Sequence, residues 1–560
     1  MARAKKRTPK VEEVRPYVEG VAKNLIDKLY GPHGPAWGTK LTEIEDLFVA
    51  IREVLSEKML ADALARQAAA QAPDPSTLPR CPGCQQPVVC DDTNERILDT
   101  RAGEAEWAEP EGYCDRCRRS FFPQSQSLGL DLSAASPAVQ RKITYAGTVS
   151  RSFTEASTLL AELAELPVSA KQVERVTRRI GEERVAERDA EVAAYQALPL
   201  VEKFGVPAAV TPPDLAVVMA DGGRLQILDR AELAAAAETP PPAADAAAAP
   251  AVAADWDAEK APAGHWREDK VGLLLTMHSD GSAADPCPEI PPSFLDATRI
   301  PELVRALARH VKQPEEGGGA ADPAPADEPV RAETAYQPPQ VEQRKVLASR
   351  LTWPTFAPLL AAAAWAWGFQ GATRTAFVGD GSANHWRLQR RFFGTFVPIL
   401  DFIHALSYVY AAATAGRLCT AGWACYRQWI QWVWQGQVTC VLTALEARQA
   451  ELGLPEPDES ETSPRQIVAR TLTYLRNQQE KMQYDAYRRE GLPITSSLME
   501  SVVKQVNRRV KGTEKFWSED GAEAMLQLRA DQLSDDQPLD AFWQRRQEAA
   551  TGQRRYRRVA

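Results

Sequence analysis

Apolar residues recur with a helical period near both ends of the chain. Near the N-terminus, LTEIEDLFVAIREVLSEKMLADALARQAAA (41–70) has an apolar residue at nearly every third or fourth position, which predicts that residues 1–75 are mostly helical. The stretch 137–180 is also predicted to be helical, with a break at Pro167. Residues 413–488 have helical character and are rich in tryptophan, which is more typical of a packed interior than of an exposed stacking surface.

Shorter apolar runs in the middle of the chain predict β-strands. Three of them end in an aspartate: PDLAVVMAD ends in Asp221, TAFVGD in Asp380 and FVPILD in Asp401. The segment HWREDKVGLLLTMHS (265–279) has the length and β-rich content of a pair of hairpin strands, and 343–368 is predicted to form a helix. Strands alternating with helices in this way predict an α/β fold whose sheet has mixed pairing.

Two low-complexity stretches interrupt this pattern. Residues 231–255 and 313–342 are rich in alanine, proline and acidic side chains, and they lack the apolar residues that build a core. We interpret both as insertions in loops of one folded unit. The predicted multidomain organisation is a helical N-terminus (1–75), a zinc ribbon (76–125), a helical region (126–200), a core in two parts (201–412 and 489–535) separated by a helical insertion (413–488), and a basic tail (536–560).

Composition limits the class of protein. At 560 residues the chain is too long for one core, and 44% hydrophobic with 25% charged residues is typical of a globular protein. The net charge of −9 argues against a surface coated in positive charge, but basic stretches at both ends are compatible with nucleic-acid binding. Neither a signal peptide nor a membrane span is visible, so we expect a cytoplasmic protein with reduced cysteines and no membrane partner.

Four of the nine cysteines form two C-x-x-C pairs: Cys81 with Cys84, and Cys114 with Cys117. In a reduced compartment this pattern predicts a closed, four-thiolate zinc site whose role is structural. The gap of 29 residues between the pairs is long, and an elongated hairpin can fill it. A redox dithiol is the alternative, but it would not need the second pair. Cys90 is interpreted as a free thiol outside the site.

Basic residues cluster on the second of two helices predicted around Pro167. Ser169 is a plausible N-cap, and the basic residues that follow it are Lys171, Arg175, Arg178 and Arg179. A helix, a short turn and a basic helix match the outline of a helix-turn-helix that enters the major groove of DNA. Two packed helices with an exposed polar face would give the same pattern.

The three strand-end aspartates have a counterpart on a helix. Carboxylates next to glycines at strand ends suit hard divalent cations, and two such ions about 3.5–4 Å apart can catalyse phosphodiester chemistry. In GLPITSSLMESVVKQVNRRVKG (491–512), Glu500 begins a face that continues with Lys504, Arg508 and Lys511, which could follow a nucleic-acid backbone. The alternative is structural: Ser497 and Glu500 fit a capping box, and a basic face is commonly just solvated.

Three segments resemble bacterial insertion-sequence DDE transposases, most closely the Kra-type group related to the Mutator-like superfamily. They are FVGDGSANHW (377–386), ILDFIHALSYV (399–409) and REGLPITSSLMESVVKQVNRRVKGTEKFWSEDGAEAMLQLRA (489–530). The resemblance extends from about Pro213 to Trp543 and is most specific in its last third. The family's usual GSG before the glutamate is replaced here by Thr495, Ser496 and Ser497.

The resemblance implies an RNase H-like core with an all-helical insertion. It implies that Asp221, Asp380 and Glu500 bind Mg²⁺ or Mn²⁺ at a two-metal site, and that Asp401 and His404 form the family's D-x-x-H motif. The implied activity is cleavage of element-end DNA and strand transfer into target DNA. The implied partners are double-stranded terminal inverted repeats and target DNA, bound by a homo-oligomer in the bacterial cytoplasm, at the nucleoid.

Two other functions are compatible with the same residues. One is a domesticated, non-catalytic regulator that binds DNA through its zinc ribbon and basic helices. The other is an RNase H-like nuclease that cuts DNA without joining it. The presence of all three acids favours a transposase over the regulator.

Overall fold

The computed structural model describes residues 9–70, 78–131, 133–228, 265–312, 336–512 and 514–552. The protein is mixed α/β and divides into two compact units, residues 1–140 with 545–560, and residues 141–544. The predicted insertion 231–255 and residues 313–335 of the second insertion lie outside the described residues. The finer domain boundaries inferred from the sequence stay predictions.

The first unit contains long helices followed by a small sheet. Its elements are α1 (Pro9–Tyr30), α2 (Leu41–Ala70), β1 (Asp92–Thr100), β2 (Gly103–Cys114), β3 (Arg119–Phe121) and α3 (Pro123–Ser127). Strands β1 and β2 form an antiparallel hairpin, and β3 pairs with β2. Alternate residues of β2, among them Ala105 and Trp107, are buried in a small core with Leu64 of α2. This hairpin fills the gap between the two cysteine pairs, as predicted.

The second unit begins within α4 (Pro137–Val149) and continues with α5 (Phe153–Ala164), α6 (Ala170–Ala197) and α7 (Leu200–Lys203). Its middle part consists of β4 (Leu215–Ile227), β5 (Trp266–His278), α8 (Arg299–Lys312), β6 (Gln340–Ser349), α9 (Trp353–Ala366), β7 (Arg374–Gly379), α10 (Ala383–Phe392) and β8 (Val397–Leu400). The remaining elements are α11 (Phe402–Thr414), α12 (Cys419–Trp434), α13 (Val438–Leu452), α14 (Pro464–Gln478), α15 (Tyr484–Arg489), α16 (Ser497–Val510), β9 (Phe516–Trp517), α17 (Glu519–Leu533) and α18 (Pro538–Glu548).

The described strands of the second unit form one six-stranded sheet in the order β6-β5-β4-β7-β8, with β9 pairing the far end of β4. Strand β5 is antiparallel to both β4 and β6, whereas β7 is parallel to β4 and β8 is parallel to β7. The mixed pairing predicted from the sequence is therefore confirmed. Residues 215–220 of β4 are all buried, as expected for a central strand covered on both faces.

Two secondary-structure predictions for this sheet were wrong. Residues 265–279 contain one long strand, β5, and no hairpin. Gly272 makes no turn; its missing side chain leaves room for Leu360, because a Cβ at Gly272 would lie 2.7 Å from Leu360 Cδ1. The helix predicted for 343–368 starts only at Trp353. The residues before it form β6, which also includes 340–342 of the predicted insertion, because Val346 to Ala348 are buried in pairing with β5.

Helix α6 is part of the second unit's packed structure. Gly181 allows a close approach to α17, because a Cβ at Gly181 would lie 2.7 Å from both the Cβ and the carbonyl oxygen of Ala524. Arg184 forms an ion pair of 3.0 Å with Asp531, and both side chains are buried. One face of α6, the predicted DNA-reading helix, is therefore buried in the protein interior.

The predicted helical insertion consists of the end of α11, α12 to α14, and most of α15. Trp429 and Trp434 are buried, and Trp423 and Trp432 are half-buried against the same core. Packing, rather than exposed base stacking, is thus the role of these four tryptophans, as predicted.

Candidate functional site

Asp221 and Asp380 lie level with each other on neighbouring strands. Met219 of β4 and Val378 of β7 are register partners in parallel pairing, and each aspartate is two residues further along its own strand direction. The prediction that β4 ends at Asp221 was wrong, because pairing with β5 carries the strand on to Ile227. On the other side β7 stops at Gly379, which leaves both carboxylates at the carboxyl edge of β7.

Each of these two aspartates has one oxygen fixed by the backbone. The Gly222 amide donates to Asp221 Oδ1 at 2.7 Å, and the Ser382 amide donates to Asp380 Oδ1 at 2.8 Å. Among the described residues, neither Oδ2 has a hydrogen-bond donor. The two side chains therefore have fixed orientations and retain one oxygen each for a ligand.

His385, on the first turn of α10, is a site residue that the sequence reasoning missed. Its Nδ1 lies 2.7 Å from Asp380 Oδ1, and its ring is buried against Trp353 with 5.0 Å between ring centroids. Nδ1 is not aligned with an acceptor as a hydrogen bond requires, so the contact acts mainly through charge. The residue lies inside the motif FVGDGSANHW, but no rule of spacing singles out a histidine five positions after an aspartate.

The electrostatics differ between the two aspartates. Burial raises the pKa of Asp221 to about 6; His385 opposes this shift and the neighbouring Asp380 carboxylate reinforces it. Burial acts in the same direction on Asp380, but His385 and the more distant His404 outweigh it and hold the pKa of Asp380 well below its usual range. A half-buried pair of neighbouring carboxyl groups with unequal pKa values is typical of a functional site.

Asp401 connects three segments at the same edge of the sheet. It directly follows β8 and caps α11, since its Oδ2 accepts from the His404 amide at 3.0 Å and contacts His404 Nδ1 at 2.7 Å. Its Oδ1 accepts a 2.6 Å hydrogen bond from the Ser496 amide, just before α16. Although burial disfavours a charged ring, the contact of His404 Nδ1 with the Asp401 carboxylate raises the pKa of His404 to about 9. His404 is therefore an oriented, cationic side chain.

Glu500 lies in the first turn of α16, and the capping-box alternative was wrong. The helix begins at Ser497, its N-cap is Ser496, and that side chain makes no capping hydrogen bond. Glu500 Oε2 lies 3.8 Å from Lys504 Nζ. Burial raises the pKa of Glu500, as does Asp401, while Lys504 and His404 oppose the shift. The positive charge of His404 thus opposes the rise in the pKa of both Glu500 and Asp221.

The three acids supply the oxygen ligands that a hard divalent cation prefers, but their carboxylates do not all lie close together. Among the described residues, Asp221, Asp380 and Glu500 do not bring one oxygen each to within 4.8 Å of the others. The fit to Mg²⁺ or Mn²⁺ rests on Asp221 and Asp380, whose neighbouring carboxylates each keep one oxygen without a donor. A site made of all three acids would require Glu500 to lie closer to this pair.

The predicted DNA-binding residues are mostly accessible. Lys504, Arg508 and Lys511 are exposed, and the opposite face of α16 is buried, except for Leu498, which is exposed. On α6, Lys171, Arg175 and Arg178 are exposed and Arg179 is half-exposed. Arg178 pairs with Glu182 at 2.6 Å and Arg179 with Glu183 at 3.9 Å, so two of these four cations already have acidic partners.

The four predicted zinc cysteines form a cluster in the first unit. The Sγ atoms of Cys81, Cys84, Cys114 and Cys117 all lie within 4.8 Å of one another, which is close enough for one metal ion such as zinc. Within the described residues, no other group of three or more histidine, cysteine or acidic side chains meets this distance. Cys90 lies outside the cluster.

Each cysteine pair is held by a tight turn. The amide of Gln85 donates to the carbonyl of Cys81, the amide of Arg118 donates to that of Cys114, and both donor residues have positive φ. Phe121 is buried against the cysteines.

No protein-family model and no curated protein matches this chain. None of the helices in the described ranges is both long enough and apolar enough to cross a membrane.

Proposed function

We propose that this protein is a DDE transposase that cleaves element-end DNA and transfers the cut strand to target DNA. The observation that carries the proposal is the gathering of Asp221, Asp380 and the Asp401–His404 pair at one edge of the sheet, with Glu500 on a helix whose start is bonded to Asp401. These five residues come from four separate segments of the chain.

The sheet supports an RNase H-like core for this enzyme. Strand β4 has antiparallel strands on one side and parallel strands on the other, and its aspartate lies beside the aspartate that follows β7. The helical segment between α11 and α16 would then be an insertion in that core.

The proposed chemistry assigns a separate task to each group. Asp221, Asp380 and Glu500 would hold divalent cations, which neutralise a phosphodiester and activate the attacking oxygen when bound. Asp401 orients the ring of His404, whose other ring nitrogen, Nε2, would donate to a phosphate oxygen. The exposed cations of α16 would contact the same DNA strand further along its backbone.

Partners follow from the same proposal. The cysteine cluster would hold zinc and fold the ribbon, which, with the exposed cations of α6, would bind the terminal repeats. Because two element ends must be brought together, the active form would be a homo-oligomer assembled on DNA.

One observation favours the non-catalytic regulator as a second candidate. The three acids of the described structure are not within 4.8 Å of one another, and a DNA-binding protein that had lost catalysis would not need them to be. The regulator would still bind DNA through the zinc ribbon and the basic helices. A nuclease without joining activity would share the acids and differ only in the second reaction.

The test is metal-dependent cleavage of labelled element ends by the parent and by Glu500→Gln, with Mg²⁺ or Mn²⁺. Glu500→Gln removes one charge without changing shape, and we expect it to lower the cleavage rate by at least about a hundredfold. Glu514→Gln, at an exposed position, is the matched control. Full activity of Glu500→Gln rejects the assignment, and DNA binding without any cleavage by the parent favours the regulator. Cleavage without strand transfer identifies the nuclease.

A further inference from the structure

An open cleft of about 650 Å³ lies next to Asp380, between α11 and α14. Its lining includes Gly381, which directly follows Asp380, and residues along one face of α14. This volume lies within the range of small-ligand sites, about 300–1,000 Å³. The cleft belongs to the predicted helical insertion, to which the proposed chemistry assigns no task.

Two tyrosines form the aromatic wall of the cleft. The rings of Tyr408 and Tyr474 are stacked, with centroids 3.8 Å apart and planes 9° from parallel. Tyr474 is fixed at the candidate active site, because its hydroxyl donates to the Asp380 carbonyl at 2.7 Å. Tyr408 is one helical turn after His404 on α11 and is only half-buried, so it contributes ring surface to the cleft.

Polar groups complete the lining. Gln466, Asn477 and Gln478 supply side-chain amides, and Gln478 Nε2 donates to the Gly381 carbonyl at 3.2 Å. The other amide atom of this nearly buried residue, Gln478 Oε1, has no hydrogen-bond partner. Amides that can donate and accept suit the edge of a nucleobase.

The charge in the cleft does not fit a duplex backbone. Arg470 provides one exposed cation, and Glu461 contributes an acid to the same lining. A duplex backbone carries one negative charge per about 1.7 Å of helix axis and needs a continuous positive surface. One cation beside an aromatic wall is instead suited to a single nucleotide, with its base on the ring and its phosphate at the cation.

We propose that this cleft binds one unpaired base of the DNA strand whose adjoining phosphate lies at Asp380. The inference rests on the proposed function and assigns a task to the helical insertion: it holds a base out of the stack so that the neighbouring phosphodiester is presented to the carboxylates. Tyr408 supplies the stacking surface, Arg470 pairs with a flanking phosphate, and Tyr474 keeps the aromatic wall in register with Asp380.

The test uses the full chain without divalent metal, so that binding is measured independently of cleavage. The probes are a fluorescent dT20 strand and a fully paired 20-base-pair duplex, with affinities from fluorescence anisotropy. Tyr408→Ala is expected to weaken dT20 binding about tenfold or more, because stacking on an aromatic ring is lost. Tyr408→Phe keeps the ring and should bind within twofold of the parent. Duplex binding should change by less than twofold in both variants.

A second pair of variants does not depend on the tyrosine. Arg470→Ala removes the cation of the cleft, whereas Arg476→Ala removes an exposed arginine that pairs with Glu446. Only Arg470→Ala should weaken dT20 binding, by about threefold or more at low salt. The proposal is overturned if a folded Tyr408→Ala binds dT20 within twofold of the parent, if the duplex is affected equally, or if both arginine variants lose the same affinity.

These outcomes are separable from those of the cleavage test. Full cleavage by Glu500→Gln with a loss of dT20 binding in Tyr408→Ala rejects the catalytic assignment and keeps the base-binding cleft. Unchanged dT20 binding in Tyr408→Ala with an inactive Glu500→Gln does the reverse.

Discussion

The Asp401 carboxylate accepts a 2.6 Å hydrogen bond from the amide of Ser496, a residue 95 positions later in the chain. The other carboxylate oxygen caps α11 and contacts the His404 ring. A single, almost fully buried side chain therefore joins the end of β8, the start of α11 and the loop before α16. Because Glu500 is on the first turn of α16, Asp401 is a positioning residue for it.

The first prediction concerns this connection. Asp401→Ala removes all three hydrogen-bonded contacts and leaves the amides of Ser496 and His404 without this acceptor, so we expect a loss of about 3 kcal/mol in the free energy of unfolding. We also expect a fall in DNA cleavage of at least about tenfold, because Glu500 is released. Asp401→Asn should give intermediate losses of stability and of cleavage. Its side-chain oxygen can still accept from the Ser496 amide, whereas its amide NH2 group faces the donors of His404. Chemical denaturation and single-turnover cleavage measure the two effects.

The cap of a different helix provides the control. Ser152 caps α5 by accepting from the Glu155 amide, and Ser152→Ala should cost about 1 kcal/mol without changing cleavage. If both caps lowered cleavage alike, the effect of Asp401 would be one of stability alone.

The second prediction concerns the cysteine cluster. Purified protein should contain one zinc ion per chain, and Cys114→Ser should abolish its retention, because a three-thiolate site no longer closes the tetrahedron. Structural zinc contributes to folding directly, so β1 to β3 should also lose protection in hydrogen exchange. Cys90→Ser is the matched control and should keep one zinc. Elemental analysis decides: zinc retained by Cys114→Ser contradicts the site.

The third prediction is a pH dependence of stability that originates at Asp269. This carboxyl on β5 is fully buried, neither oxygen has a hydrogen-bond partner, and it lies beside Gly223 and Asn507. Burial raises its pKa from 3.8 to about 7; Glu268 and Asp221 reinforce this shift and Lys270 opposes it. An acid whose pKa is higher in the folded state costs nothing below its unfolded pKa and costs most once pH exceeds the folded pKa.

The wild-type protein should therefore lose roughly 4 kcal/mol of stability between pH 4 and pH 8 relative to Asp269→Asn, given about 1.4 kcal/mol per pKa unit. The variant cannot ionise, so the difference between the two curves isolates this group. Denaturation in EDTA at several pH values measures it. A difference that stays constant with pH would show that Asp269 is already charged, or already protonated, across the range.

The sequence predicted the parts of the fold that follow from local periodicity. Mixed pairing and the strands that lead to Asp380 and Asp401 were visible, because they depend on short runs of apolar residues between turn signals. The hairpin between the cysteine pairs was inferred instead from the length of the gap. The two errors have a common cause. Strands β5 and β6 carry charged residues whose strand conformation is stabilised by pairing with residues far away in the sequence. Local periodicity does not reveal such pairing.

The site was less accessible to sequence reasoning. Aspartates at strand ends pointed to a carboxylate cluster, but the ion pair of His385 with Asp380 and the bond from Ser496 to Asp401 are tertiary contacts with no local signature. The capping box at Ser497 failed because the helix start is fixed by Asp401 rather than by its own side chains.

The last prediction asks whether α6 is a free DNA-reading helix or a wall of the second unit. Gly181→Ala places a methyl group against Ala524 of α17, and there is no flexible side chain there to give way, because one of the close atoms is a backbone carbonyl. We expect a loss of about 1–3 kcal/mol in the stability of the second unit, and a matching loss of cleavage near the melting temperature. In Gly20→Ala, a helical glycine with nothing within 4 Å, stability should be unchanged or up to about 1 kcal/mol higher. If Gly181→Ala instead weakened DNA binding while leaving stability intact, α6 would act as a separate recognition helix, and its packing on α17 would not be needed for the second unit to fold.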